Sequence, residues 1–123
     1  MSAYDVIELN LPLKPEYVSV ARLTTAGILN RIKMDIETIE DVKVAVSEVC
    51  NKIIEIQSKI VDKYNIIYNL SDTKIEIFFR SEDTKMKCIF DGNELGLSLI
   101  NALMDEVKLC KEEGYIISFS KSV

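Results

Sequence analysis

Four charged side chains at helical spacing are the best candidates for chemistry in this sequence. Asp41, Glu48, Lys52 and Glu55 are separated by seven, four and three residues, so a helix would hold them in one polar stripe along one face. The chain contains no histidine, which excludes histidine-based catalytic triads and most transition-metal sites. Carboxylates and lysines are the acid and base groups that remain. From the sequence we predict no metal site.

A long amphipathic helix must position this stripe, and the sequence predicts one from residue 35 to about residue 61. Asp35 or Thr38 can cap its start, and Glu40 and Asp41 place negative charge in its early turns, where the helix dipole favours it. The apolar residues of this helix recur at alternating spacings of three and four, which is the period of one buried face. They are Ile39, Val42, Val46, Val49, Ile53, Ile56 and Ile60.

The end of this helix stays open between two interpretations. Ile60, Tyr64, Ile67 and Leu70 continue the helical spacing, whereas residues 65–70 are also rich in strand formers. We favour a helix to about residue 63 and leave residues 61–70 open between helix and strand.

Prolines, turn residues and alternating patterns predict the other elements. Pro12 cannot donate to a strand ladder, so the first strand should lie at a sheet edge, and Pro15 suits the first turn of the next helix. The apolar face of that helix consists of Val18, Ala21, Leu23 and Ile28. We predict a strand over residues 6–11, a helix over residues 15–32, a hairpin of strands 74–80 and 85–90, a helix from residue 94 to about residue 104, and a hairpin of strands 107–110 and 115–120.

This order of elements predicts one α+β domain over residues 1–123, a two-layer sandwich with helices on one face of a mixed, mostly antiparallel sheet of about five strands. A chain of 123 residues, of which 48% are hydrophobic, suits one packed core. The net charge is −5 and the 15 basic residues are scattered, which argues against a nucleic-acid partner. We find no signal-peptide core and no apolar run of membrane-spanning length, so we expect a cytoplasmic protein without membrane contact.

The three cysteines predict neither a disulfide framework nor a zinc site. Cys50, Cys88 and Cys110 stand far apart, without C-x-x-C spacing, and each lies in an apolar context. We therefore expect reduced thiols that serve as small hydrophobic side chains.

The central helix also carries a family resemblance. Residues 40–50 resemble the first nucleotide-binding box of the anti-sigma-factor serine kinases, a branch of the GHKL ATPases, in which a glutamate is followed four residues later by an asparagine. Glu48 matches the glutamate, which the resemblance makes the general base. Lys52 occupies the position of the magnesium-binding asparagine, and Asn51 stands one residue too early, about 100° away around the helix.

Two further segments extend the resemblance over nearly the whole chain. Residues 12–18, followed by Arg22, resemble the opening of the same family, and residues 96–107 resemble its glycine box and the helix that follows. The resemblance implies the GHKL fold and a partner-docking role for Arg22. The alternative is that Arg22 is a solvated side chain on an amphipathic helix, and both interpretations stay open.

The resemblance implies an ATP site, but parts of that site are altered. A glutamate followed by a lysine at i+4 is the favourable order for an ion pair on a helix, so Glu48 should pair with Lys52. An ammonium cannot ligate Mg²⁺. Asp91 and Gly92 are the candidates for the adenine-reading box, although this match shifts the preceding strand by one residue and exchanges its faces. The alternative is that they form an ordinary turn before a helix.

The lid and the phosphate-binding turn are altered as well. The family has a long lid between its aspartate-glycine box and its glycine box, whereas Asp91 and Gly96 are five positions apart. Asn93 and Glu94 stand where the family has glycines, and the Glu94 carboxylate would repel phosphate at a helix start. The remnant nucleotide site predicted by the resemblance comprises Asn51, Lys52, Asp91, Gly92, Glu94 and Gly96.

We therefore expect a regulatory binding module that has lost ATP binding and needs no cofactor. The resemblance implies a homodimer whose partner is a sigma factor or an anti-anti-sigma-type protein. The alternative from the enzyme class is a lid-less serine/threonine kinase that still uses ATP and Mg²⁺, with Glu48 as general base. A third interpretation is a decoy without a sigma target of its own.

Overall fold

A computed structural model describes residues 5–83, 89–90, 95–109 and 115–123. In this part of the chain, five strands form one sheet in the order β1-β2-β3-β5-β4, and every neighbouring pair is antiparallel. The elements are β1 (Asp5–Pro12), a 3-10 turn (Pro15–Tyr17), α1 (Val18–Arg31), α2 (Ile36–Ile56), β2 (Lys63–Leu70), β3 (Lys74–Arg80), α3 (Leu95–Leu103), β4 (Glu106–Leu109) and β5 (Tyr115–Ser122).

The core lies between α2 and one face of the sheet, which confirms the α+β class. Alternate residues of β2 and β3 are buried, as expected for strands with one covered face. On α2 the buried residues are Val42, Ala45, Val46, Val49, Cys50 and Ile53, so four of the seven residues in the predicted apolar series lie fully in the core. Among the described helices, none combines the length and the apolarity needed to cross a lipid bilayer.

The favoured end of the central helix was wrong. α2 ends at Ile56, Gln57 has an extended backbone with ψ 141°, and Ile60 is 88% exposed. Residues 63–70 form β2, which pairs with β1 on one side and with β3 on the other. Because both ladders satisfy the backbone of β2, sheet pairing outweighs the helical spacing of its apolar residues.

The hairpin predicted from residues 74–80 and 85–90 was also wrong. β3 matches its predicted bounds, but its two neighbours are β2 and β5, so neither edge of β3 is free for a third strand. Ile89 and Phe90 form part of a turn and are buried, whereas residues 84–88 lie outside the described part. The predicted number of strands is confirmed because β2 supplies the fifth.

The first and last predicted elements agree well with the structure. β1 lies at a sheet edge and α1 follows the 3-10 turn that begins at Pro15. β4 and β5 pair as an antiparallel hairpin. One residue of the predicted face of α1 is misplaced: Leu23 is 72% exposed, while the other three residues are buried.

A Schellman motif ends α1 and places a lysine in a left-handed conformation. The Met34 amide donates to the Leu29 carbonyl and the Lys33 amide donates to the Asn30 carbonyl, both at 3.3 Å. Lys33 has φ 60°, a conformation that a side chain with a Cβ adopts at a cost and that glycine adopts freely.

We expect Lys33→Gly to raise the free energy of unfolding by about 0.5 to 1 kcal/mol, because it removes the strain at this helix end. Urea unfolding of both proteins measures the difference. Lys14→Gly is the matched control, since Lys14 is an exposed lysine with φ −133° and should lose stability from the added backbone freedom. Equal effects of the two substitutions would contradict the prediction.

Candidate functional site

The C-terminal half of α2 forms one wall of a cavity of about 380 Å³. Four of its lining residues lie on α2, and three come from the turn at residues 89–90 and the start of α3. They are Glu48, Asn51, Lys52, Glu55, Phe90, Leu95 and Gly96. The cavity thus brings together the predicted general base and three residues of the predicted remnant site.

The structure sorts the predicted polar stripe into two parts. Glu48, Lys52 and Glu55 follow one another at spacings of four and three and all line the cavity, as the helical period requires. Asp41, two turns earlier, does not line it. Asn51 also lines the cavity and is exposed, although it does not stand in the family position of the metal-binding asparagine.

The predicted ion pair between Glu48 and Lys52 is not among the ion pairs of the described residues. Those pairs join Lys43 to Glu40, Arg80 to Glu8, Lys108 to Glu106 and Lys121 to Asp105, at 3.1 to 3.3 Å. Lys52 does make an interaction of its own. Lys52 lines the cavity one helical turn beyond Glu48.

Gly96 makes the closest approach to the predicted base. A Cβ added at Gly96 would lie 3.3 Å from Oε2 of Glu48, which is tighter than an ordinary van der Waals contact. The first turn of α3 therefore lies directly against the carboxylate. A Cβ at position 96 would require the Glu48 carboxylate to shift by a few tenths of an ångström.

The chemistry available in this cavity follows from its lining. Two carboxylates and the amide oxygen of Asn51 can accept hydrogen bonds, and the ammonium of Lys52 and the amide nitrogen of Asn51 can donate. Mg²⁺ prefers oxygen ligands, usually carboxylates together with phosphates and water. Within the described part of the chain, no group of three histidine, cysteine, aspartate or glutamate side chains is placed to hold a metal ion.

Three residues of the predicted site lie outside the described part of the chain. They are Asp91, Gly92 and Glu94, and the neighbouring Asn93 is outside it as well. Their predicted roles in reading adenine and in repelling phosphate stay predictions.

The thiol of Cys50 lies on the core side of α2 rather than in the cavity. Cys50 is fully buried, and burial raises the pKa of its thiol to about 11. It is therefore protonated at neutral pH and serves as a small hydrophobic side chain, as the sequence predicted. Cys88 and Cys110 lie outside the described residues.

Arg22 lies on α1, away from the cavity, with its side chain exposed. Leu23 beside it in sequence is 72% exposed, and Val20 and Tyr17, at successive spacings of three, are each 38% exposed. These four residues, which we call the α1 patch, combine a cation with apolar surface. A cluster of exposed apolar residues beside a charged one is typical of a protein-binding surface.

Two features of the site region were missed by the sequence analysis. Phe90 was assigned to a strand but lines the cavity. Asp83, at the exit of β3, is buried and accepts hydrogen bonds from the Ser58 amide at 2.8 Å and the Ser58 hydroxyl at 2.7 Å. An acidic residue in a Ser-Glu-Asp turn predicts no such contact, because its partner is 25 positions away.

Comparison with known proteins agrees with this architecture. The model of the histidine kinase-like ATPase domain family matches residues 11–121. The serine-protein kinase RsbW of Bacillus cereus (strain B4264) is 33% identical, in an alignment that covers 100% of this chain and 88% of the relative. The protein of the same name from Bacillus thuringiensis (strain Al Hakam) has the same identity and coverage.

The length of this alignment shows that the chain is shortened relative to the kinases. The alignment spans 141 positions, whereas the chain has 123 residues. The alignment therefore contains at least 18 positions at which the Bacillus kinase has a residue and this chain has none.

Proposed function

The chain belongs to the histidine kinase-like ATPase family, and from this premise we propose that it is an anti-sigma-factor-like regulatory protein that has lost ATP-dependent phosphorylation. Its similarity to serine-protein kinases over the whole chain supports the regulatory role. The proposed partner is a sigma factor or an anti-anti-sigma-type protein, and the proposed assembly is a homodimer.

One observation carries the proposed loss of ATP binding: Lys52 lines the same cavity as Glu48, at the position of the family's metal-binding asparagine. An ammonium at this position repels Mg²⁺ and supplies no oxygen ligand. The shortening by at least 18 positions relative to the Bacillus kinase supports the same conclusion. We assign the missing positions to the lid, because Asp91 and Gly96 stand only five positions apart.

Loss of the nucleotide site leaves the partner-binding role intact, because the α1 patch does not depend on the cavity. Arg22 and its apolar neighbours lie on a different helix from Glu48 and Lys52. A basic residue framed by apolar side chains suits an acidic or amphipathic segment of a partner protein. We propose that the protein acts by holding its partner, without a phosphorylation step.

The alternative is a minimal serine/threonine kinase. Glu48 is retained, it faces the cavity, and Gly96 leaves room for its carboxylate. In this alternative Glu48 would accept the proton of a substrate serine while ATP and Mg²⁺ bind beside it. Nucleotide binding distinguishes the two functions.

We expect calorimetric titration with Mg-ATP or Mg-ADP to show no binding tighter than about 1 mM, or roughly −4 kcal/mol. The metal ligand, the lid and the phosphate-binding turn are all altered, so little of the usual binding energy remains. The same titration without Mg²⁺ is the control and should give the same result. Micromolar, Mg-dependent binding would favour the kinase alternative.

We expect Arg22→Ala to weaken capture of the partner about tenfold or more, while changing the free energy of unfolding by less than about 0.5 kcal/mol. The partner recovered on the wild-type protein from its native cell serves as the ligand in a binding titration. Lys63→Ala, which removes an exposed cation from β2, is the matched control. Equal capture by wild type and Arg22→Ala would leave Arg22 as an ordinary solvated side chain.

A further inference from the structure

The backbone of β1 presents hydrogen-bonding groups at the outer edge of the sheet. The Leu13 amide donates to the Asp62 carbonyl at 3.1 Å, in continuation of the register in which β1 pairs with β2. The direction of the backbone groups alternates along an antiparallel strand. The N–H and C=O groups of Val6, Glu8 and Asn10 therefore point away from β2 and form the outer edge of the sheet.

The polar side chains of β1 leave this edge uncovered. Proteins usually protect a sheet edge with charged side chains, a short strand or a covering segment. The Glu8 carboxylate instead pairs with the Arg80 guanidinium at 3.2 Å, and Arg80 lies on β3, on the far side of β2. The Asn10 side-chain oxygen accepts a hydrogen bond from the side-chain amide of Asn65 on β2. Both side chains thus lean over the sheet and away from its edge.

The opposite edge of the sheet, at β4, has two of the usual protections. β4 has only four residues, and its Glu106 and Lys108 carry exposed charges that pair with each other at 3.1 Å. β1 has eight residues, of which Val6 is 62% exposed and Ile7 is 40% exposed. A long edge strand with exposed apolar side chains is a template for a further strand, so β1 is the edge that suits pairing.

We propose that β1 pairs with β1 of a second copy of the chain, antiparallel about a two-fold axis at Leu9, so that the two sheets become continuous. This inference gives a geometry to the homodimer of the proposed function and rests on that assembly. Glu8 lies opposite Asn10 of the second copy, and the two residues exchange N–H···O bonds. On the helix side of the junction, Leu9 meets Leu9 of the second copy and Ile7 meets Leu11, so apolar side chains pair there.

Charge selects this register over the neighbouring one. A shift of the second copy by two residues gives an equal overlap of β1 with itself, but it places Glu8 opposite Glu8 of the second copy. Like charges directly opposite each other destabilise a strand pair. In the proposed register each Glu8 faces an amide instead. Pro12, which has no N–H to donate, falls at the end of the paired segment opposite Val6, where its loss to the ladder is smallest.

Sedimentation equilibrium of the full chain tests the proposal through the sign of a charge at position 10. We expect the wild-type chain to dimerise between about 1 and 100 µM. Asn10→Glu and Asn10→Lys both remove the hydrogen bond to Asn65, but they place opposite charges in front of Glu8 of the second copy. Because each dimer contains this contact twice, the dimer Kd of Asn10→Glu should exceed that of Asn10→Lys by about tenfold or more.

Two controls separate this contact from general effects of charge. Asn101 is exposed on α3, and Asn101→Glu and Asn101→Lys change the net charge by the same amounts as the variants at position 10. Their dimer Kd values should agree within about twofold, since exposed charges far from the junction are screened by salt. Glu8→Lys combined with Asn10→Glu exchanges the signs across the junction, and it should recover the dimerisation that Asn10→Glu alone loses. Thermal unfolding shows whether each variant is folded.

The possible failures distinguish this interface from the proposed function. A dimeric chain in which Asn10→Glu and Asn10→Lys have equal Kd values would overturn the β1 interface and leave the homodimer of the proposed function in place. A folded double variant that does not recover dimerisation would overturn the register. A wild-type chain that stays monomeric at about 100 µM would overturn both the interface and the homodimer. If the β1 amides of that monomer gained exchange protection on binding the captured partner, the edge would belong to an extended segment of that partner instead.

Discussion

Asp83→Ala should lower the free energy of unfolding by about 2 to 4 kcal/mol. Asp83 is 5% exposed, and its Oδ2 atom accepts from both the amide and the hydroxyl of Ser58. Hydrogen bonds to a charged acceptor are among the stronger ones in proteins, and their loss leaves both Ser58 donors in a half-buried position.

Urea unfolding measures this effect, and two variants control for it. Ser58→Ala removes the hydroxyl donor but keeps the amide donor, so its cost should be about half as large. Glu82→Ala removes the exposed carboxylate next to Asp83 and should change stability by less than about 0.5 kcal/mol. If Asp83→Ala cost no more than Glu82→Ala, the Ser58 contact would contribute nothing to stability.

The same contact shows why the end of α2 could not be predicted from local pattern. The start of α2 is encoded locally, because Oδ1 of Asp35 accepts a hydrogen bond from the Thr38 amide at 2.7 Å. Hydrogen bonding to Thr38 lowers the pKa of the Asp35 carboxyl. The end depends on distant partners, because Gln57 donates to the Leu13 carbonyl and Ser58 donates to Asp83. A periodicity read along one segment contains no information about such partners.

Strand pairing explains the other errors in the same way. Residues 63–70 have apolar side chains that suit either a helix face or a two-sided strand, and only the ladders with β1 and β3 decide between them. Once β2 occupies that place, β3 has no free edge for residues 85–90. One unpredicted strand therefore accounts for both corrections.

The candidate site was predictable to the extent that one helix defines it. The spacing of Glu48, Lys52 and Glu55 predicted a shared face, and these residues do line one cavity. The membership of Gly96 in this site was predicted from the family resemblance rather than from spacing, because α3 is far from α2 in sequence. Its close approach to Glu48 was not predicted. The exposure of Leu23 was not predictable, since an apolar residue on a helix can face solvent as well as the core.

The proposed loss of ATP binding should be reversible by two changes made together. We expect a variant that carries Lys52→Asn, and in which the residues between Asp91 and Gly96 are replaced by the corresponding segment of the Bacillus cereus relative, to which we assign the additional positions, to bind Mg-ATP about a hundredfold more tightly than the natural chain, a gain of roughly 2.7 kcal/mol. Asparagine supplies an amide oxygen that Mg²⁺ accepts. The replacement removes the Glu94 carboxylate and provides a segment that can cover the nucleotide.

Calorimetric titration with Mg-ATP measures this gain, and thermal unfolding shows whether the variant is folded. The replacement alone, with Lys52 retained, is the control and should bind at least tenfold more weakly than the double change, because the cavity still holds an ammonium in place of a metal ligand. If the replacement alone restored full affinity, Lys52 would not be one of the causes of the loss.

Lys52→Asn alone should remain folded, with a change of less than about 0.5 kcal/mol in the free energy of unfolding, and should still fail to phosphorylate a serine substrate. The substitution restores the glutamate and asparagine spacing on α2, but phosphoryl transfer also requires the γ-phosphate to be held in line and shielded from water. A chain at least 18 positions shorter than the Bacillus kinase has no segment between Asp91 and Gly96 long enough to do so. Thermal unfolding of the variant checks that it is folded, so that a negative result is not attributed to instability. Phosphotransfer by Lys52→Asn alone would show that the lid is dispensable, and the kinase alternative would then replace the binding module as the proposed function.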